Sequence, residues 1–172
     1  MKMSRKHVNA FTRSTVTLVA ALTCASALAD DPAYTMTVIS DASHGAKVKA
    51  GDYDTAIAKI TAKSRTADSY SELTNLCVAY TKSGDLENAG AACGAAVEQM
   101  RAKLPSRGSA FTYLSSDVRA RRYLALALSN QGVLHAVSGE PELARENFLE
   151  ALELKASVRE PKINLARLDM EF

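Results

Sequence analysis

Residues 75–98 read NLCVAYTKSGDLENAGAACGAAVE, from Asn75 to Glu98. Two alanine-rich runs flank Gly84-Asp85. Gly84 suits the left-handed residue that closes a helix, and the acids Asp85 and Glu87 suit the positive end of the next one. Helix, tight turn, helix is therefore the expected unit, with Cys77 on the first arm and Cys93 on the second.

The same punctuation recurs along the chain. Gly51-Asp52-Tyr53-Asp54-Thr55-Ala56, Gly84-Asp85-Leu86-Glu87-Asn88-Ala89 and Gly139-Glu140-Pro141-Glu142-Leu143-Ala144 share the pattern Gly, acid, any, acid, any, Ala. Pro141 fits the first turn of a helix, where its missing N–H breaks no intrahelical bond. The first two glycines lie 33 residues apart and the next two 55, which is one period of 34 plus an insertion of 21. Pro105-Ser106-Arg107-Gly108-Ser109 has the chemistry of that insertion, placed at about residues 104–124. A long helix is expected to start near Ser116-Asp117 and run to Gly139.

Composition agrees with an all-α chain. Of 172 residues, 47% are hydrophobic and 6% aromatic, with no Trp, so a core of Ala, Leu and Val in closely packed helices is favoured over a β-sandwich. Lys2, Arg5, Lys6 and Arg13 precede an uncharged stretch, Ser14 to Ala29, that ends Ala27-Leu28-Ala29. This is the layout of an export signal cleaved after Ala29. The apolar part is too short and too diluted by Ser and Thr for a stable membrane span. Cys24 would suit a lipoprotein signal, but such signals want a small residue directly before the cysteine and Thr23 stands there. Without residues 1–29 the chain carries 17 basic and 19 acidic residues, a net charge of −2 against +2 for the whole. No basic footprint for nucleic acid remains beyond Arg119, Arg121 and Arg122, read as a solvated helix face.

A helix-turn-helix period of 34 residues resembles the tetratricopeptide repeat (TPR) family. In the unit 70–103 the family pattern is met by Asn75, Leu76, Tyr80, Gly84, Asp85, Ala89 and Ala96. The unit 125–158 offers Asn130, Gly132, Gly139, Ala144, Phe148, Ala151 and Leu152, with Gln131 in place of the usual Leu and His135 in place of the usual aromatic. The unit 41–69 keeps Gly51, Asp52, Tyr53, Ala56 and Ile57, with Lys47 where Tyr is expected. Asn164-Leu165-Ala166 opens a partial unit, 159–172, read as a capping helix. The resemblance implies a right-handed superhelix of about three hairpins plus that helix. Residues 30–40 fall outside it, and their run Tyr34-Thr35-Met36-Thr37-Val38-Ile39 is either an extended arm along the helices or a disordered leader.

By the same resemblance, Cys77 takes the position of the small residue where the two helices of a repeat come closest, facing Cys93. A disulfide suits an exported chain and would contribute roughly 3 kcal/mol by chain-entropy reasoning; two buried free thiols are the other reading. Neither a zinc ligand set, with only His44 and His135 beside the pair, nor a redox dithiol with its two-residue spacing is present.

The repeated asparagine, Asn75, Asn130 and Asn164, points in TPR domains into the concave groove, where an amide can donate to and accept from a bound peptide backbone. Val78, Lys82, Val133 and Arg167 are implied to line the same groove, with Thr74, Ser129 and Val137. A hydrophobic or backbone-read peptide suits that lining better than a charge clamp. His135 has no recognisable nucleophile or acid at catalytic spacing, and no phosphate loop, paired-carboxylate motif or haem-attachment sequence appears. The expectation is a non-enzymatic periplasmic interaction module without cofactor or metal that binds a protein or peptide. Two alternatives stand beside it: a structural subunit of an envelope complex, and a thiol-redox helper using Cys77 and Cys93.

Overall fold

The computed structural model describes residues 34–63, 69–104 and 115–171. The expected export signal, 1–29, with Cys24, and the centre of the insertion, 105–114, lie outside the described residues. Seven helices and no strand occur among those described: α1 Gly45–Lys49, α2 Tyr53–Lys63, α3 Tyr70–Ser83, α4 Leu86–Arg101, α5 Ser115–Val137, α6 Pro141–Leu154 and α7 Glu160–Glu171. The chain is all-α.

Three turns join α1 to α2, α3 to α4 and α5 to α6 with one geometry. Gly51, Gly84 and Gly139 stand at φ 80°, 83° and 78°, where a side chain would be strained. In each turn the acid after the glycine donates its N–H to the carbonyl five residues back: Asp52 to Lys47 at 3.0 Å, Asp85 to Tyr80 at 3.0 Å, Glu140 to His135 at 2.9 Å. This is the six-to-one bond of a Schellman closure, which satisfies a carbonyl that the ending helix leaves orphaned. The heads of α4 and α6 are built differently: α4 has a side-chain cap, and α6 has none but starts on a proline. Asp85 accepts from the Asn88 N–H at 3.2 Å, and Pro141 occupies the first turn of α6. At the head of α3, Ser69 and Glu72 form a reciprocal capping box.

Two departures from the repeat pattern are compensated at this turn. Lys47 Nζ lies 3.1 Å from Asp52 Oδ2, and His135 Nδ1 lies 2.6 Å from Glu140 Oε2. Where the aromatic is missing, the replacing side chain bonds the first acid of the turn. No acid stands at a recognisable catalytic spacing from His135 in the sequence, yet Glu140, five residues on, is its partner, because the Schellman closure brings it back beside the ring.

Each helix packs on its chain neighbour, and the first helices of successive hairpins, α1, α3, α5 and α7, also touch in series. Small residues set how close the arms come. Along α4 the face turned inward is Ala89, Ala92, Cys93, Ala96, Val97 and Met100, all buried. Cys77 and Cys93 sit with Cα atoms 4.7 Å apart and form a disulfide between α3 and α4. Gly132 does the same for α5 and α6: a Cβ there would stand 2.5 Å from the Phe148 ring. Phe148, fully buried, anchors a cluster with Val133, Ala136, Ala144 and Leu168, while Leu124, Leu128, Met100 and Val97 centre a second one. Tyr70 and Tyr123 stack at 5.1 Å, and the Tyr70 hydroxyl donates to the Tyr123 carbonyl at 2.8 Å. Burial pushes the Tyr70 phenol well above its ordinary pKa.

Candidate functional site

The repeated asparagines sit on α3, α5 and α7, the helices that touch in series, and each is 1% exposed or less. Side chains three and seven residues on share their helix face, which sets Val78 and Lys82 beside Asn75, Val133 beside Asn130, and Arg167 beside Asn164. All seven expected groove residues thus fall on one surface, and that surface is covered by the chain's own leader.

Residues 34–39 run extended across the three helices in reverse chain order. Asn164 accepts from the Thr35 N–H at 2.8 Å and donates to the Thr35 carbonyl at 2.8 Å. Asn130 makes the same pair with Thr37, at 2.7 and 2.9 Å. Asn75 accepts from the Ile39 N–H at 2.9 Å and donates to the carbonyls of Ile39 and Ala42 at 3.1 and 3.0 Å. Alternate residues of an extended chain present their N–H and C=O to one edge, and two residues span about 7 Å, near the roughly 8–10 Å step between packed helices. One asparagine per helix can therefore read one residue in two.

The intervening residues supply the apolar contacts. Tyr34 is buried beside Phe148, Val133 and Leu168, Met36 packs against clusters from three parts of the molecule, and Val38 lies against Val48, Ala56 and Val78. At the α7 end the Arg167 guanidinium stands 5.2 Å from the Tyr34 ring centre, within cation–π range, and the Tyr34 hydroxyl bonds the Glu171 carboxylate. Burial first, and then the bond and charge of Glu171, push the Tyr34 phenol up to about 12. Lys82 Nζ reaches the Tyr34 carbonyl at 3.5 Å, and partial burial lowers the lysine's pKa. Of the other residues expected in the groove, Thr74 and Ser129 are buried, and Ser129 lies 3.5 Å from the Asn164 amide; Val137 is half exposed at the end of α5.

The leader enters α1 through a tight turn. Ser43 and His44 are the non-glycine residues at positive φ among those described, 47° and 58°, at a cost of about 1–2 kcal/mol each. Gly45 follows because the chain has no room for anything else: a Cβ there would fall 1.9 Å from the Ile39 carbonyl oxygen. Beside Thr37 the surface opens into a cleft of about 450 Å³ lined by Arg122, Leu126, Lys155, Ser157, Val158 and Arg159 with Glu160. Arg122 of the basic cluster thus flanks the leader, while Arg121 pairs with Asp117 at 3.2 Å.

Cys77 and Cys93 are 1% and 0% exposed. Among the described residues no group of three or more His, Cys, Asp or Glu is placed to hold a metal, and no helix is long and apolar enough to cross a membrane. No protein-family model, curated protein or solved structure matches the chain.

Proposed function

We propose that this chain is a non-enzymatic interaction module of the TPR kind, exported to the periplasm, whose asparagine-lined face binds extended polypeptide. The observation that carries this reading is the pairing of Asn164, Asn130 and Asn75 with the main chain of residues 35, 37 and 39. Bonds to N–H and C=O groups are indifferent to side-chain identity, so such a face recognises conformation first and selects sequence only through the pockets filled by Tyr34, Met36 and Val38. The three Gly-acid turns and the small-residue contacts between helices support the TPR comparison. The protein brings its own occupant, and a partner segment binds this face by taking the leader's place.

A redox helper is disfavoured by burial, since thiol–disulfide exchange requires an attacking thiolate to reach a sulfur and both sulfurs are covered. The disulfide is better read as a staple holding α3, and with it Asn75, against α4.

A photo-crosslinking residue at Lys82, beside the leader, tests the reading in cells. Defined envelope proteins should be captured by the parent and lost with Asn130→Ala and Asn164→Ala together. Capture that ignores both asparagine substitutions, or that matches an unrelated exported control, overturns it.

A further inference from the structure

The leader is attached to the helical body through residues 40–44, and this short connection contains Ser43 and His44, both left-handed without being glycine. Opening the turn lets both residues return to ordinary backbone angles, and a short strained hinge is the recognised setting for segment exchange between identical chains. Everything that holds the leader is also present on any other copy: three asparagines that read main chain, and the pockets for Tyr34, Met36 and Val38. A second leader is the one foreign segment whose fit to this face is already visible.

We propose that two copies of this chain exchange leaders, each leader lying across the asparagines of the other copy, with residues 40–44 straightened into a connector between the two bodies. The exchange is reciprocal and closes on itself, so it yields a dimer and not a fibre. Closed and exchanged forms share the leader contacts of residues 34–39 and differ in the hinge, where straightening gives up the Asn75 bond to the Ala42 carbonyl along with the strain, and in the cost of association. Relief of one left-handed residue is worth about tenfold, hence on the order of 10⁴ for the four in a dimer. Set against an effective concentration in the millimolar range or above for a leader tethered in cis, this places the dissociation constant on the order of 0.1 micromolar or above.

Light scattering on the chain from residue 30, over a concentration series through that range, should find a species of twice the monomer mass. Ser43→Gly tolerates the closed turn and should weaken the dimer about a hundredfold, since two hinges lose their strain. Ser43→Pro cannot adopt the positive φ and should drive the chain into the dimer at all concentrations. In case that variant does not fold, a copy carrying Asn130→Ala can be mixed with a copy carrying Met36→Ser, and native mass spectrometry should find the heterodimer, in which one intact leader meets one intact face. Three results each overturn the proposal: a folded chain that stays monomeric across the series together with a mixed pair that does not associate; a dimer indifferent to Ser43→Gly; or a face that binds a synthetic peptide of residues 30–40 while no dimer forms.

Discussion

At the scale of single residues, the asparagine amide is the unit that holds the leader. It offers N–H donors and a carbonyl acceptor in one plane, matching the C=O and N–H that one residue of an extended chain presents at its edge. Asn130→Ala removes both partners of Thr37 at once and should lower unfolding stability by about 2 kcal/mol in urea titration. Asn130→Asp keeps the acceptor for the Thr37 N–H but sets a carboxylate against the Thr37 carbonyl at a site 1% exposed. At neutral pH it should be at least as damaging as alanine, and recover as acid protonates the new carboxyl and restores a donor.

Tyr34 gives the leader a signature at the other end of the pH scale. Its phenol ionises near 10 when unfolded and is held at about 12 in place, so the neutral form favours the seated leader. That contribution is complete below pH 10 and lost as pH rises towards 12. Phenolate absorbance together with leader proteolysis should register the release, and Tyr34→Phe should remove this step while leaving the rest of the alkaline profile. Arg167 faces the same ring, and Lys82, which bonds the Tyr34 carbonyl, loses its charge on the way to this range, so Lys82→Gln serves as the control that isolates the phenol step.

Single positions also mark where reading the sequence stopped. The asparagines were legible because the repeat register names them. Glu140 as the partner of His135 was not, since the two are joined by a turn geometry and not by any catalytic or ligand spacing.

Among the elements, α3 with α4 and α5 with α6 are the tightest pairs, each through a residue that removes bulk. Gly132→Ala would force the Phe148 ring and, at 3.1 Å, the Ala144 carbonyl away from α5. About 1–3 kcal/mol of stability should be lost, and Gly132→Ala combined with Phe148→Leu should recover part of it. For the other pair, replacing Cys77 and Cys93 by alanine opens a loop of 16 residues and should cost about 3 kcal/mol, or roughly 10 °C in Tm. If the double variant melts with the parent, the bridge adds nothing beyond packing. The elements were the most legible part of the chain, because the Gly-acid signals lie next to the backbone they shape. Less legible was α1, only five residues long and formed where Lys47 replaces the aromatic of the pattern.

For the molecule as a whole, the leader decides what surface is on offer. Its alternation is weak, and its partners stand 36, 93 and 129 residues away, beyond the reach of any local pattern, so the sequence left an extended arm and a disordered segment equally open. The asparagine trio and the leader were each visible, but the pairing between them was not. Hydrogen exchange offers a direct check: the amides of Thr35, Thr37 and Ile39 should exchange slowly, and Gly45→Ala, which pushes on the Ile39 carbonyl, should speed all three without exposing α4 or α6.

The separations carry a further consequence, for the order of events. A polypeptide is made from its N-terminal side, so Thr35 is made 129 residues before Asn164. Their bond cannot form until α7 has emerged. Until then Tyr34 and Met36 wait uncovered while the helical hairpins assemble behind them, and α7 completes the seat of a segment made before any of the hairpins. Seating of the leader therefore reports that the chain is present through α7: a molecule truncated before Asn164 would keep its hairpins and disulfide, yet present a loose leader to any protease.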